Sequence, residues 1–179
     1  MEFNAKNLAA ISLCAALWAI LNVTIGPTFW NMTHLPILCD MIGISILALV
    51  TWWTRKLGAA SLTGMVATVL NLALSPSSIQ FLGFTAASIV FDVAMRLPGY
   101  GVSLDKGIKG TSFILAASLL STLVAGVIIG TFFMAPAILN SGYGGVAFFA
   151  VLHGVGGLVG GIFGVVFIRA LESRHVVPR

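Results

Sequence analysis

The sequence predicts an all-α integral membrane protein of six transmembrane helices, with the N and C termini cytoplasmic. Scarcity of charge, six apolar runs and the placement of the basic residues predict it. Of 179 residues, 59% are hydrophobic and 8% are charged, and the mean hydropathy is +1.08. A soluble domain carries about 25% charged residues. Nine basic and five acidic side chains are too few to cover a water-soluble surface, which excludes soluble enzymes, nucleic-acid binders and disordered regulators.

A spanning helix needs about 20 mostly apolar residues to cross ~30 Å of hydrocarbon. The runs lie near residues 8–25, 36–54, 59–74, 79–96, 111–135 and 146–170, and residues 1–179 read as one six-helix domain. Barrel strands alternate apolar and polar residues; these runs do not. The first reads as a retained helix rather than a signal peptide, because one Lys precedes it and no small-x-small cleavage site follows in a polar setting. The third, short and rich in small and hydroxyl residues, is expected inside the bundle. Gly26-Pro27, Pro76, Pro98-Gly99, Pro136 and residues 142–145 punctuate the connections. Cys14 and Cys39 can form a disulfide only if their helices meet.

Charge placement predicts orientation. Lys6, Arg55, Lys56, Arg96, Lys106, Lys109, Arg169, Arg174 and Arg179 all fall at the chain ends or in the second and fourth connections. The connections near 26–35, 75–78 and 136–145 hold none. Basic residues accumulate on the cytoplasmic side, so those three connections face outward. They carry aromatic and neutral polar groups suited to stacking on, and hydrogen bonding with, a small molecule.

Intramembrane ionisable groups cost roughly 2.5–3.5 kcal/mol on insertion scales and mark candidate sites. Asp92 has Arg96 one turn later and is expected to pair with it. Asp40 has no basic neighbour within a turn; it is either a ligand or cavity residue or an interfacial carboxylate that reaches water. Lone His153 reads as a hydrogen-bonded core residue more readily than as a ligand. Asn22 and Asn71 can bind substrate or join helices. His34, Cys39 and Asp40 match no metal-binding spacing, so no metal or cofactor is expected. No catalytic or phosphate-binding motif is present, and the protein is expected not to be an enzyme.

Small residues form stripes at Ser12/Ala16 and Ala15/Ala19 on the first helix, and at Gly156/Gly160/Gly164 beside Gly157/Gly161 on the last. Such stripes let backbones approach closely in lipid. Intramolecular packing suffices for the last helix; for the first, docking on a partner membrane protein is an equal alternative.

The alanine-rich segment LAAISLCAAL at 8–17, within a short six-helix chain, resembles the substrate-binding S components of energy-coupling factor (ECF) vitamin transporters. The stretch RKLGAASLTGMVATVLNLAL at 55–74, followed by FLGFTAASIVF at 81–91, is most like the YkoE-like subgroup for thiamine or its hydroxymethylpyrimidine precursor. The resemblance covers about residues 8–96. It implies a prokaryotic inner (plasma) membrane protein that captures a vitamin-like molecule from outside beneath a lid at residues 26–36. It further implies a transmembrane coupling protein and two ATPase subunits as partners, docked through Ser12, Ala15, Ala16 and Ala19. The pocket it implies draws on Trp30, His34, Asp40, Asn71 and Gln80. A neutral pyrimidine suits a half with Asp40 as its sole acid at least as well as a cationic ring. Metal-type members carry His at the second position, where this chain has Glu2. The rival readings are a scaffold subunit that binds no solute and uses its glycine stripes for protein contacts, and a membrane enzyme built on Asp40 and His34.

Overall fold

A computed structural model describes residues 2–176; Arg179 lies outside them. The described chain is all-helical, in nine helices: α1 (Ala5–Thr24), α2 (Gly26–Thr33), α3 (Ile37–Thr54), α4 (Ala59–Leu74), α5 (Phe81–Arg96), α6 (Tyr100–Ser103), α7 (Ile108–Phe132), α8 (Pro136–Tyr143) and α9 (Val146–Ser173). Four of them, α1, α3, α7 and α9, are long and apolar enough to cross a membrane. The α4 and α5 helices have 16 residues each, or about 24 Å at 1.5 Å per residue.

The six longest helices coincide with the six apolar runs to within a few residues. No end is offset by more than three residues; α7 is displaced at both, starting at Ile108 rather than 111 and stopping at Phe132 rather than 135. Lys109 is admitted to its first turn because a long basic side chain can carry its charge outward from a helix end. The α9 helix continues past 170 to Ser173, where Arg169 Nη1 bonds Glu172 Oε2 at 3.0 Å, one turn apart. Two of the expected connections are themselves helical. Pro27 and Pro136 each stand in a first helical turn, where the missing N–H costs nothing and the fixed φ is already helical. The α2 helix ends on His34 at φ 54° and α8 on Gly144 at φ 66°.

The helix at the centre is α3, not α4. It packs on α9, α1, α4, α5 and α7, and almost all of its residues from Ile42 to Trp52 are buried. The α4 helix buries one face, made by Ala59, Ala60, Thr63, Gly64, Ala67, Thr68 and Asn71, while Met65, Val69 and Leu74 stay exposed. Its small residues serve close contact on one side rather than burial on all.

The glycines of α9 work as two stripes. A Cβ on Gly156 would lie 2.9 Å from the Ile37 backbone, and one on Gly160 2.9 Å from that of Met41, both on α3. A Cβ on Gly157 or Gly161 would strike Thr122 or Ser118 on α7. The α9 helix is thus wedged between α3 and α7, and Ser45 Oγ donates to the Gly160 carbonyl at 3.0 Å across the first seam.

The described basic residues gather at one end of the bundle. There Lys56 Nζ donates to the Glu2 carbonyl at 2.6 Å, Trp52 Nε1 to Glu172 at 3.2 Å, and Arg169 Nη2 to the Asp105 carbonyl at 2.8 Å. Asp92 also serves this end, but the expected pairing with Arg96 is not formed. Its Oδ2 accepts from Gly58 N–H at 2.8 Å, Ser61 N–H at 3.0 Å and Ser61 O–H at 2.8 Å. Among the described residues Arg169–Glu172 is an ion pair, and His153 contacts Asp40 as a hydrogen-bonded couple. Arg96 instead lies over the Tyr100 ring, 5.8 Å from its centroid. The orphan N–H groups of the first turn of α4 attract a carboxylate more directly than a solvated guanidinium does.

Candidate functional site

The opposite end of the bundle opens into a cavity of about 1020 Å³, at the upper limit of the ~300–1,000 Å³ usual for small-molecule sites. Every connection free of basic residues borders it. The α2 helix and the turn after it supply Trp30 and His34, the α4–α5 connection supplies Ser75 and Gln80, and α8 supplies Tyr143. The ends of α1, α4 and α9 supply Asn22, Asn71 and His153. Aromatic rings form much of the remaining wall, including Phe81, Phe84, Phe133 and Phe149.

Of the five pocket residues expected from sequence, Trp30, His34, Asn71 and Gln80 line the cavity. Asp40 does not; it is fully buried on α3 and neither faces open water nor lacks a basic neighbour. His153 Nδ1 is hydrogen-bonded to Asp40 Oδ1 at 3.0 Å and stands 2.9 Å from Oδ2. Gly156, one turn along α9 from His153, permits the approach, since a Cβ there would lie 2.8 Å from the Asp40 Cβ. Asp40 thus reaches the cavity only through the imidazole, which is itself part of the wall. His153 was legible as an intramembrane histidine, but nothing in the local sequence pairs it with a residue 113 positions away.

Rings hold the imidazole in place. The Phe149 ring meets it edge-on at 4.8 Å between centroids, and the Phe84 ring lies at 6.0 Å. From α7, Gly126 provides the space, a Cβ there being 3.0 Å from the His153 Cβ.

Several buried polar atoms of cavity-lining residues have no hydrogen-bond partner within the described protein: both side-chain atoms of the Asn22 amide, Asn71 Oδ1 and His153 Nε2. The other half of the Asn71 amide is committed to the Ala67 carbonyl at 2.8 Å. Unpaired buried polar groups cost about 1–3 kcal/mol each, and a ligand carrying matching groups recovers that cost.

The mouth is roofed by a cluster from α2 and α8. Trp30 stacks on Tyr143 at 6.4 Å and 29°, and meets His34 edge-on at 6.2 Å. This cluster lies in the segment at which a lid was expected, with α8 as a second half that the sequence did not single out.

The expected docking stripe on α1 divides. Ala15 and Ala19 are 0% and 1% exposed and face into the bundle, so they are unavailable to a partner. Ser12 lies on the exposed face and Ala16 at its margin, beside exposed Leu13, Leu17 and Ile20. Cys14 and Cys39 are both free thiols. Among the described residues no three His, Cys, Asp or Glu side chains gather as a metal site.

No protein-family model matches the chain, and no curated protein and no solved structure matches it.

Proposed function

We propose that this membrane protein is the substrate-capture subunit of an ATP-driven ECF-type importer for a vitamin or vitamin precursor, with a thiamine-related pyrimidine favoured. In this reading six helices span a prokaryotic plasma membrane, the basic end is cytoplasmic and the cavity opens outward. The observation that carries it is the cavity itself: it lies at the end without basic residues, is walled by aromatic rings, and holds unpaired polar atoms on Asn22, Asn71 and His153. A flat ring stacks on such walls and hydrogen-bonds to such amides.

Energy comes from partners, since the chain has no ATP-binding motif; the partners are a transmembrane coupling protein and two ATPases. The outer face of α1, with Ser12, Ala16, Leu13 and Leu17, supplies the docking surface. The rival, a scaffold that uses its glycine stripes for protein contacts, is disfavoured because Gly156, Gly157, Gly160 and Gly161 are occupied by α3 and α7.

Thermal unfolding of the purified protein across a panel of vitamins and precursors tests the reading. A true ligand stabilises by RT ln(1 + [L]/Kd), about 2.7 kcal/mol at a hundredfold excess over Kd. A panel with no stabilising member refutes capture. Orientation is read separately: a cysteine placed at Ser77 reacts with an impermeant maleimide from outside the cell, and one at Ser173 only after permeabilisation. The opposite pattern overturns the topology.

A further inference from the structure

The Asp40–His153 couple determines which kind of hydrogen bond the cavity offers at that wall. His153 is 2% exposed and Asp40 0%, so the couple sits where net charge is expensive. Among the described residues no cation compensates it. The only charged residue of α3 is Asp40 itself, with the Cys39 thiol beside it. The α5 and α7 helices carry theirs, Asp92, Arg96 and Lys109, toward the other end, as α9 does with Arg169 and Glu172. The remaining titratable side chains at the cavity are His34, exposed, and Tyr143, a neutral phenol.

The proton states can be counted. A carboxylate beside a neutral imidazole bears net charge −1, with the imidazole proton on Nδ1 facing the carboxylate and a bare lone pair on Nε2. One further proton brings the couple to net zero, in either of two forms. A carboxylate beside an imidazolium has hydrogens on both nitrogens. A carboxylic acid that donates to Nδ1 leaves the imidazole hydrogen on Nε2. Both net-zero forms therefore carry a hydrogen on Nε2, the nitrogen without a partner among the described residues.

We infer that the couple rests at net zero and presents His153 Nε2–H to the cavity as a hydrogen-bond donor, so that the site selects a flat ligand bearing an acceptor, a ring nitrogen or carbonyl, at that edge. This deepens the capture reading and rests on it for the ligand. Asp40 is a positioning residue: it holds the imidazole and keeps the extra proton in place. A cationic ring placed there would meet an N–H donor and bind only by expelling a proton from the couple.

Histidine ¹⁵N NMR on the full-length protein in nanodiscs tests the donor directly. The chain has three histidines, and His34→Asn with His175→Asn leaves His153 alone; both positions have left-handed backbone, which Asn tolerates. The expected spectrum shows a protonated, pyrrole-type Nε2 and a strongly deshielded proton at Nδ1 that Asp40→Asn removes. A pyridine-type Nε2 overturns the inference, and the parent spectrum decides this even if the Asp40 variant fails to fold. Three flat probes, isoquinoline, indole and N-methylisoquinolinium, then separate the ligand classes by thermal shift on the unsubstituted protein. Isoquinoline, the neutral acceptor, is expected to stabilise and to move the Nε2 resonance; indole, a donor only, and the cation are not. Preferential binding of the cation or of indole overturns the selection. If none of the three and no member of the vitamin panel binds while Nε2 is protonated, the capture reading falls and the donor assignment stands.

Discussion

Tyr143 donates its hydroxyl hydrogen to the His34 carbonyl oxygen at 2.6 Å, tying α8 to the end of α2 across the cavity mouth. Burial pushes the Tyr143 hydroxyl up from its ordinary value, so it remains a protonated donor throughout the neutral range. Tyr143→Phe keeps the Trp30 stack and removes this tether, worth about 0.5–1.5 kcal/mol. Hydrogen exchange across residues 26–36 should rise up to roughly tenfold while the rest of the bundle is unchanged. Unaltered exchange in that segment would show that stacking alone holds the roof.

Gly156 is where α9 comes closest to Asp40. Gly156→Ala puts a methyl 2.9 Å from the Ile37 backbone, which cannot swing aside as a side-chain tip would. The expected cost is about 1–3 kcal/mol by overpacking, accompanied by lengthening of the His153–Asp40 contact. Gly101→Ala is the control, because a Cβ there meets nothing within 4 Å. Equal melting temperatures for the two variants would refute the wedge.

Removing one partner of a buried hydrogen-bonded couple costs about 1–3 kcal/mol, because the abandoned group is left without a partner. Asp40→Asn and His153→Gln should therefore each destabilise. The double variant should cost less than their sum by about 0.5–3 kcal/mol, as contacting groups do in a double-mutant cycle. Additive losses, measured by denaturation in one detergent, would mean the two side chains act independently.

Asp92 separates two explanations of one intramembrane acid. As a cap for α4, its replacement by Ala strands the Gly58 and Ser61 donors and should cost about 1–3 kcal/mol. Arg96→Gln should change stability by no more than ~0.5 kcal/mol, as an exposed substitution does. An ion pair would make both variants comparably harmful.

Periodicity and charge made the helical segments legible because each is a property of residues near one another in the chain. The Asp92 misreading shows where that stops. Arg96 is four residues away and an obvious partner by spacing, yet the donors that capture the carboxylate sit 31 and 34 positions earlier. The Ala15/Ala19 stripe is similar: spacing reveals that a close approach occurs but not whether the approaching surface belongs to the same chain. Trp30, His34, Asn71 and Gln80, which line the cavity, were legible as residues of that end because they stand in or beside the connections without basic residues. Tyr143 was legible only as one of the aromatic and polar groups of the connection near residues 136–145.

The sequence by itself determined that this is an α-helical membrane protein, where its six long helices lie, and which end of each of them carries charge. Apolar transfer and solvation of charge act on each residue wherever its neighbours lie. The tertiary structure decided that α3 rather than α4 lies at the centre and that Asp92 caps a helix. It also decided that Asp40 meets the cavity only through His153. Those outcomes depend on which backbones can come within contact of one another, and for α9 against α3 that was settled by glycines whose missing side chains reveal nothing of their partner until the helices are packed.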